Sequence, residues 1–284
     1  MPSQKEIKER INTVNSTMKI TGAMKMIASA KLHRAQTALE NIRPYELGLH
    51  GILSHLLASG IETESPYTRP HKEGKRAIVV CSSNSGLCGA FNANMQKELI
   101  KYISPFAKDE LLFFPVGKKI KEFLIKKDYS LEENLDFLSD KPTYEDAASL
   151  ASHLMELYAT GKVKQIDLLY YHFRNIAVQM LITETYLPLC PSASEEEKSG
   201  YTDYILEPSA EELITSLLPQ VLRLKLFAVL LDNNASEHGA RTMAMQQATD
   251  NATDLLQGLT IQYNKSRQQS ITNELLDIAG GSIR

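Results

Sequence analysis

Residues 217–263 read LLPQVLRLKLFAVLLDNNASEHGARTMAMQQATDNATDLLQGLTIQY, and this stretch carries the repeat that decides the fold. Fourteen positions in it follow one another in alternating steps of four and three, which is the spacing of a heptad seam. Small or polar residues occupy the middle of the seam, and larger apolar residues occupy its ends. The pattern predicts one long helix that pairs with another helix. The seam positions are Leu217, Val221, Leu224, Ala228, Leu231, Ala235, His238, Thr242, Met245, Thr249, Ala252, Leu256, Leu259 and Tyr263.

The start of this helix is marked by a capping box. Ser209 is followed three residues later by Glu212, and Pro208 stands just ahead of the pair. Pro219 is predicted to restart or bend the helix, because proline fits a first turn without losing a hydrogen bond. Helical character is expected to continue to Ile278.

The N-terminal part of the chain mirrors this pattern. Residues 3–43 contain no proline and one glycine, and a second seam runs through them. Lys25 interrupts its apolar character, while Thr21, Ala28 and Ala35 make its middle narrow. The positions of this seam are Ile7, Ile11, Val14, Met18, Thr21, Lys25, Ala28, Leu32, Ala35, Leu39 and Ile42.

Pro44 should kink or end the N-terminal helix, and residues 45–58 can then resume it until Gly60. Continuous helices over residues 3–58 and 210–278 would span roughly 80 Å and roughly 100 Å. A domain of about 150 residues has a radius of gyration of only ~15 Å. The two helices are therefore expected to pair antiparallel and to project from the rest of the chain.

The middle of the chain has a different sequence pattern, in which segments rich in β-branched and aromatic residues alternate with segments of helical character. Alternation of this kind predicts a parallel or mixed sheet, and the closeness of the last two strands predicts a hairpin. The fold class is therefore α/β, with a central Rossmann-like domain inserted between two long helices. The predicted strands are 76–82, 111–116, 165–173 and 178–187, and the predicted helices are 90–103, 117–127 and 144–160. The predicted divisions are 1–60 (long helix), 74–190 (α/β domain), 191–208 (linker or foot) and 209–284 (long helix).

The segment Asn233–Arg241 is unusually polar for the interior of a helix, and Gly239 lowers helix propensity by about 1 kcal/mol relative to alanine. Small residues allow two helix axes to approach closely. We therefore expect a tight, slender helix pairing here. The matching small residues of the N-terminal helix are Ala23, Ala28, Ala30 and Ala35.

Composition narrows the class of protein. The chain has 284 residues, of which 43% are hydrophobic and 23% charged, so it can bury a large core. No run of 18 apolar residues occurs, which predicts that no segment crosses a bilayer. The net charge is −3, yet the first 43 residues carry eight basic and three acidic residues. This basic segment fits an acidic partner, a membrane surface, nucleic acid or a solvated helix face.

Signals for catalysis are weak. The loop at residues 81–89 follows a strand and precedes a helix, as phosphate-binding loops do, but it lacks the lysine and the full glycine set of those motifs. Cys88 is best interpreted as a buried structural thiol. The three cysteines are odd in number and lack metal-ligand spacing, so a reducing compartment fits the sequence best. The histidines show no zinc motif. We predict no catalytic site, no cofactor and no metal.

Four motifs carry a specific resemblance that runs through the whole chain. They are Lys19–Leu32 (KITGAMKMIASAKL), Gly86–Asn92 (GLCGAFN), Arg241–Ala252 (RTMAMQQATDNA) and Tyr263–Ile278 (YNKSRQQSITNELLDI). With these motifs the chain resembles the γ subunit of F-type ATP synthases. The resemblance implies a non-catalytic central rotor that turns inside a ring of three α and three β subunits. It also implies contacts with the ε subunit and the membrane-embedded c-ring.

Residue roles follow from the same resemblance. Matching positions imply contact with the β subunits for Met24, Lys25, Arg241, Arg267, Gln268, Thr272 and Glu274. Tyr204 and Glu207 match the foot near the c-ring and ε. The family loop usually has Asp-Arg where this chain has Asn84-Ser85, which removes any partner contact made by those charges.

The resemblance implies a peripheral membrane protein on the cytoplasmic face of a bacterial inner membrane. It predicts no binding of nucleic acid and no insertion into the bilayer, and absent aromatic interleaving in the basic segment also argues against nucleic acid. Two alternatives stay open at this point. One is a coiled-coil adaptor or nucleic-acid-associated protein with an α/β head, and the other is a nucleotide-dependent enzyme that uses the loop at Gly86.

Overall fold

A four-stranded sheet forms the centre of the α/β domain in the computed structural model, which describes residues 3–58, 65–132, 134–189 and 209–281. The helices are α1 (Gln4–Ala58), α2 (Phe91–Ile103), α3 (Lys118–Lys126), α4 (Phe137–Asp140), α5 (Tyr144–Ala159) and α6 (Ala210–Gly281). The strands are β1 (Lys75–Cys81), β2 (Leu111–Val116), β3 (Val163–Phe173) and β4 (Gln179–Leu187), and a short 3₁₀ turn spans Lys108–Glu110.

The strand order is β2-β1-β3-β4. Parallel pairing joins β1 to β2 and to β3, because a helical crossover separates each of these pairs in sequence. The short connection after Phe173 instead folds β3 and β4 into an antiparallel hairpin, with Tyr170 opposite Ile182. The predictions of an α/β fold, a mixed sheet and a terminal hairpin are confirmed.

The sheet is buried on both faces. Ile78 and Val80 of β1 point to the face covered by α2 and α3. Ala77 and Val79 point to the opposite face, which α5 and α6 cover. Alternate residues of one strand therefore enter two separate cores, and α6 is a structural layer of the domain as well as half of the helix pair.

The helices α1 and α6 run antiparallel and meet along the predicted seams. Leu53 packs in one cluster with Ile214 and Leu218 near the base, and Thr21 bonds Thr249 farther along. Every predicted seam position is buried or half-buried, whereas most positions between them on α1 are exposed. At the standard rise, the 55 residues of α1 and the 72 residues of α6 extend about 83 Å and about 108 Å.

Pro44 and Pro219 do not interrupt the helices that contain them. Pro44 does not end α1, which continues to Ala58, and Pro219 lies inside α6 without starting a new helix. Pro44 is exposed, so its ring meets solvent and the helix loses only the hydrogen bond of the missing N–H. The seam before Pro44, and Leu49 and Leu53 after it, then hold the helix against α6. At its other end α6 runs to Gly281, beyond the predicted Ile278.

The beginnings of both helices are capped as their sequences indicate. The Ser209 hydroxyl accepts a hydrogen bond from the Glu212 backbone N–H at 3.3 Å. Ser3 and Glu6 form a reciprocal capping box, in which each side chain accepts from the other residue's backbone N–H. Tyr204, Glu207 and the predicted linker 191–208 lie outside the described residues.

Apolar composition alone would allow part of α6 to cross a membrane, since it contains an 18-residue window of sufficient hydropathy. Within this chain, 44% of that window is buried. Leu222, Leu226, Val229 and Leu230 of α6 all belong to the core beneath the sheet. Packing inside the protein therefore accounts for the buried apolar residues of this part of α6.

Candidate functional site

The segment of α6 from Asp232 to Arg241 crosses the carboxyl ends of β1 and β3. In α/β sheets the crevice at the point where the strand order reverses is the usual place for a ligand. Here that crevice lies between β1 and β3, because β1 connects outward to β2 on one side and the chain returns to β3 on the other. The side chains of α6 occupy it.

The first set of contacts completes the sheet. Pairing between β1 and β3 stops at Leu169, so the backbone of β3 beyond that point has no strand on its β1 side. The backbone N–H of Tyr171 donates to Asn233 Oδ1 at 3.3 Å, and the Ser236 hydroxyl donates to the Tyr171 carbonyl at 3.1 Å. The backbone N–H of Phe173 donates to Asp232 Oδ1 at 2.8 Å. Side chains of α6 thus replace a missing strand.

A second set of contacts ties α6 to α4 and to the end of β1. Asn234 Nδ2 donates to the Ser139 carbonyl at 2.6 Å. The Ser139 hydroxyl contacts the Ser82 carbonyl at 2.8 Å and Glu237 Oε2 at 3.4 Å. Because Asn234, Ser139 and Glu237 are all buried, these bonds satisfy groups that would otherwise be costly to desolvate.

Arg241 closes the network over the loop after β1. Its Nη1 bonds Glu237 Oε1 at 2.7 Å, and its Nη2 donates to Ser85 Oγ at 2.9 Å and to the Gly86 carbonyl at 3.4 Å. Burial raises the pKa of the Glu237 carboxyl, and the Arg241 guanidinium opposes that shift. Burial also lowers the pKa of His238 to about 4, helped by the positive charge of Arg241. The guanidinium and the neutral imidazole therefore share one desolvated pocket.

The two residues that depart from the family pattern both make intramolecular contacts. Asn84 Oδ1 accepts from the Lys118 backbone N–H at 2.9 Å, and Asn84 Nδ2 donates to the Asp136 carbonyl at 2.8 Å. Ser85 is the acceptor for Arg241 described above. The uncharged side chains at these two positions therefore join the loop to α3, to the start of α4 and to α6 by hydrogen bonds.

His172 of β3 and Asp232 of α6 form a further contact between the α/β domain and the helix. His172 Nδ1 lies 2.5 Å from Asp232 Oδ2, beside a cavity of about 330 Å³ that Arg43 and Glu46 of α1 also line. Burial raises the pKa of the Asp232 carboxyl, while the bonds from Phe173 and His172 act in the opposite direction. One carboxylate thus holds both the backbone and a side chain of β3.

The residues expected to contact β subunits fall into two groups. Thr21 lies opposite Thr249, so Met24 is level with about residue 246 of α6, near Arg241, and Arg267 lies about 30 Å farther along. Met24 is 38% exposed, Lys25 is half-buried on the seam, and the Arg241 side chain is 14% exposed. By the same spacing α1 begins level with about residue 266.

The second group lies on the part of α6 that extends beyond α1. The side chains of Arg267, Gln268, Thr272 and Glu274 are all exposed there. The Thr272 hydroxyl donates to the Gln268 carbonyl at 2.9 Å within the helix. Arg267 forms no side-chain hydrogen bond or ion pair with any residue that the structure describes.

From the sequence, the polar run Asn233–Arg241 is predicted to serve helix pairing alone. The structure corrects this, because most of these side chains contact the α/β domain. Close helix pairing does occur at this level, where Ala235 packs with Leu32 and Ala35. Of the alanines offered for the pairing, Ala28 and Ala35 are buried, whereas Ala23 and Ala30 are exposed. The polar residues inside this helix were the signal of contact with the sheet, because they bond the part of β3 that extends beyond β1.

Comparison with known proteins identifies the family. The profile of the family described as "ATP synthase" matches residues 3–283. The chain belongs to the ATP synthase γ chain family. It is 52% identical to the ATP synthase gamma chain of Bacteroides thetaiotaomicron, with all of both chains covered. It is 43% identical to that of Flavobacterium johnsoniae, covering 99% of this chain and 98% of the relative.

Solved structures show the same fold. The central stalk and c-ring structure of the Tetrahymena thermophila mitochondrial ATP synthase contains a chain with a TM-score of 0.60 and 23% identity, covering 81% of this chain and 99% of that one. The rotor of the Euglena gracilis enzyme gives a TM-score of 0.59 at 17% identity, covering 94% and 98%. These comparisons support a γ chain and give no support to the adaptor alternative.

Proposed function

We propose that this γ chain is the rotating shaft that couples ion flow through the membrane sector to ATP synthesis and hydrolysis on the β subunits of a ring of three α and three β subunits. One observation carries the proposal. An asymmetric helical rod projects from an α/β domain and is continuous with it, because the same helix, α6, forms part of the domain core and the whole length of the rod. An eccentric rod can make different contacts with otherwise identical subunits, and differential contact biases their states.

The chain is proposed to be non-catalytic by itself. The crevice in which an α/β domain would bind a nucleotide is filled by Asn233, Ser236, Glu237 and Arg241 of α6. No group of three or more potential metal ligands occurs among the residues that the structure describes. Catalysis would then belong to the β subunits.

The proposed contacts with the ring use both groups of predicted residues. At the tip, Arg267, Gln268, Thr272 and Glu274 present hydrogen-bonding groups on a single exposed helix, and Arg267 can form a bidentate bond with a carboxylate. A second region of contact with the ring is proposed nearer the domain, at Met24, Lys25 and Arg241. Arg241 already uses its donors within the chain, so its share of the contact is expected to be smaller than that of Arg267.

The opposite end is proposed to rest on the membrane sector. Tyr204 and Glu207 match the foot, where the ε subunit and the c-ring are the proposed partners. The chain would then be a peripheral protein on the cytoplasmic face of a bacterial inner membrane, without inserting into the bilayer. The packing of apolar α6 residues into the domain core supports this arrangement.

Reconstitution tests the proposal. The chain is mixed with α and β subunits from the same organism, and a bead is attached to the α/β domain of the complex held by its ring. We expect ATP-dependent, unidirectional rotation of the bead in three steps per turn. A complex that hydrolyses ATP while the bead shows only Brownian motion would contradict the shaft role. Failure of the chain to bind the ring at micromolar concentrations would contradict it more directly.

The variant Arg267→Glu tests the tip surface. Reversing this charge should weaken ATP-driven ion pumping at least severalfold in the complete complex, because an exposed residue without an internal partner is expected to face the ring. Thermal unfolding of the isolated chain should not change. Exposed Lys97, on α2 of the domain, gives a matched control as Lys97→Glu. Normal pumping and normal ATPase activity in Arg267→Glu would show that the residue does not contact the ring.

A further inference from the structure

The polar side chains of α6 at the domain junction form a band that we call the α6 girdle. Its members are Asp232, Asn233, Asn234, Ser236, Glu237 and Arg241. The girdle lies where α6 leaves the domain, since beyond Arg241 the helix is buried mainly along its seam with α1. Any torque that passes between the domain and the rod must pass through this level.

We infer that the α6 girdle is the joint that fixes the rotational position of the rod on the α/β domain, with Asn233, Ser236 and Asp232 as the positioning residues. The inference rests on the proposed shaft function. Those three side chains bond the backbone of β3, in the place where β1 would otherwise continue. A rod held in this way is fixed to the backbone of a central strand, which is itself held by β1 and β4.

The apolar contacts below the girdle do not have this property. Leu222, Leu226 and Leu230 bury α6 against the sheet, and that burial supplies most of the attraction. Hydrophobic attraction is non-directional, so a small turn of the helix about its axis changes it little. Hydrogen bonds weaken steeply with misalignment, so the girdle bonds oppose such a turn.

The girdle also joins elements that are far apart in sequence. Asn234 reaches α4, Glu237 reaches Ser139, and Arg241 reaches the loop at Ser85. Bonds in several directions around one helix resist turning in both senses. This is what a shaft needs if it is driven in one direction for synthesis and in the other for hydrolysis.

Gly239 allows the domain to approach this closely. A Cβ built on it would lie 3.1 Å from Phe173 Cε2 and 3.5 Å from Gln179 Nε2, both on the β3–β4 hairpin. The hairpin therefore packs directly against the helix backbone at the level of the girdle.

Removing two of the three bonds to β3 tests the inference. Asn233→Ala and Ser236→Ala are made singly and together, and Asn233→Asp, which keeps the acceptor oxygen, serves as the rescuing variant. Gln220→Ala, an exposed position on the same helix, is the control. Spin labels at Lys97→Cys in α2 and Gln257→Cys in α6, in a Cys190→Ser background, report the distance between the domain and the rod. Cys81 and Cys88 are buried, so they stay unlabelled.

The first readout is made on the isolated full chain. The double variant should broaden the distribution of label-to-label distances at least twofold, each single variant should broaden it less, and Asn233→Asp and Gln220→Ala should match the parent. Circular dichroism at the measuring temperature must show the parent helix content. A distribution of unchanged width in a folded double variant, or in both single variants if the double variant does not fold, would overturn the inference.

The second readout is made in the complete membrane-bound complex. The double variant should lower the number of ions pumped per ATP hydrolysed at least twofold while ATP hydrolysis itself falls less. A girdle that only stabilised the fold would reduce the amount of complex and leave this ratio unchanged, and that result would overturn the inference. Failure of the shaft function looks different, because the parent chain would then show no coupling while the label distances still responded to the variants.

Discussion

The two halves of α6 follow the same heptad seam but have opposite surroundings. In the clamped half, residues 217–241, buried side chains occur all around the helix, on the seam and off it. In the free half, residues 242–281, burial is confined to a narrow stripe that faces α1, and it fades where α1 begins. Apolar residues off the seam, such as Met243, Leu255 and Ile261, are exposed there.

The difference separates two kinds of information in one sequence pattern. The period of the seam indicates that α6 pairs with another helix, and it is equally clear in both halves. The off-seam apolar residues indicate a second partner. In the clamped half that partner is the sheet of the same chain, and in the free half the proposed partner is the ring of α and β subunits, because a large exposed apolar surface is unusual without one.

The largest expected effect on stability comes from comparing one leucine-to-alanine substitution in each half. Leu226 is fully buried beneath the sheet, so Leu226→Ala should lower the free energy of unfolding by about 2–5 kcal/mol. Leu255 is 59% exposed, so Leu255→Ala should change it by less than about 0.5 kcal/mol. Urea unfolding of the isolated chain measures both. Equal losses would mean that the free half is covered within the chain itself.

The next effect is a pH dependence that arises from His238 in the clamped half. The pKa of His238 is lowered from 6.5 to about 4, so the unfolded chain binds more protons than the folded chain between these values. Its contribution to stability is therefore complete above pH 6.5 and is lost as the pH falls towards 4. The parent should lose about 2–3 kcal/mol more than His238→Gln between pH 7 and pH 4.

The comparison of parent and variant isolates the histidine. Burial raises the pKa values of Asp232 and Glu237, so these groups make the folded chain less stable as the pH rises through the acid range. That slope has the opposite sign, and both carboxyls are present in the parent and in the variant. Parallel stability curves for the two proteins would show that His238 titrates normally in the folded chain.

A glycine pair gives an effect of intermediate size. Gly258 lies in the free half, and no neighbouring atom comes within 4 Å of the place that a Cβ would occupy there, so Gly258→Ala should stabilise the helix by about 1 kcal/mol. At Gly239 the new Cβ would press on Phe173, and the resulting shift of the hairpin should cancel the gain in helix propensity. Thermal unfolding should therefore place Gly258→Ala above Gly239→Ala by about 1 kcal/mol. The reverse order would show that the hairpin gives way freely.

The sequence was sufficient for the parts of the fold that rest on local periodicity. Both seams, all four strands and the hairpin were predictable, because alternation and heptad spacing are imposed by one face being buried. Pro44 does not end α1, since a single lost hydrogen bond matters less in a helix that packs against α6 on both sides of it. Local rules cannot weigh that support.

The contacts between α6 and the α/β domain could be predicted only in part. The polar run from Asn233 was conspicuous, but its partners on β3 and α4 lie about 60 to 100 residues away in sequence. The need for those side chains arises because β3 extends past the end of β1, and strand register is a property of the assembled sheet. Residue roles at the tip came from resemblance to a family, and they remain predictions until a complex is measured.

The smallest effect concerns a polar contact in the free half of the seam. Thr21 Oγ1 and Thr249 Oγ1 lie 2.8 Å apart, so one hydroxyl can donate to the other while the accepting hydroxyl donates to a carbonyl of its own helix. Thr21→Val and Thr249→Val should each cost about 0.5–1 kcal/mol, because the bond across the seam is lost and the remaining threonine can still donate to the carbonyl of its own helix. Thr260→Val is the control, since the Leu256 carbonyl is the only partner of its hydroxyl among the described residues.

The double variant decides whether the two threonines act as a pair. If the contact across the seam is the main loss, Thr21→Val with Thr249→Val should cost less than the sum of the single variants by about 0.5 kcal/mol or more, because both hydroxyls are removed together. Strict additivity would mean that the hydroxyls act only within their own helices. The narrow middle of the seam would then be held in register by shape alone, and the free half of α6 would depend on the girdle below it for its alignment with the domain.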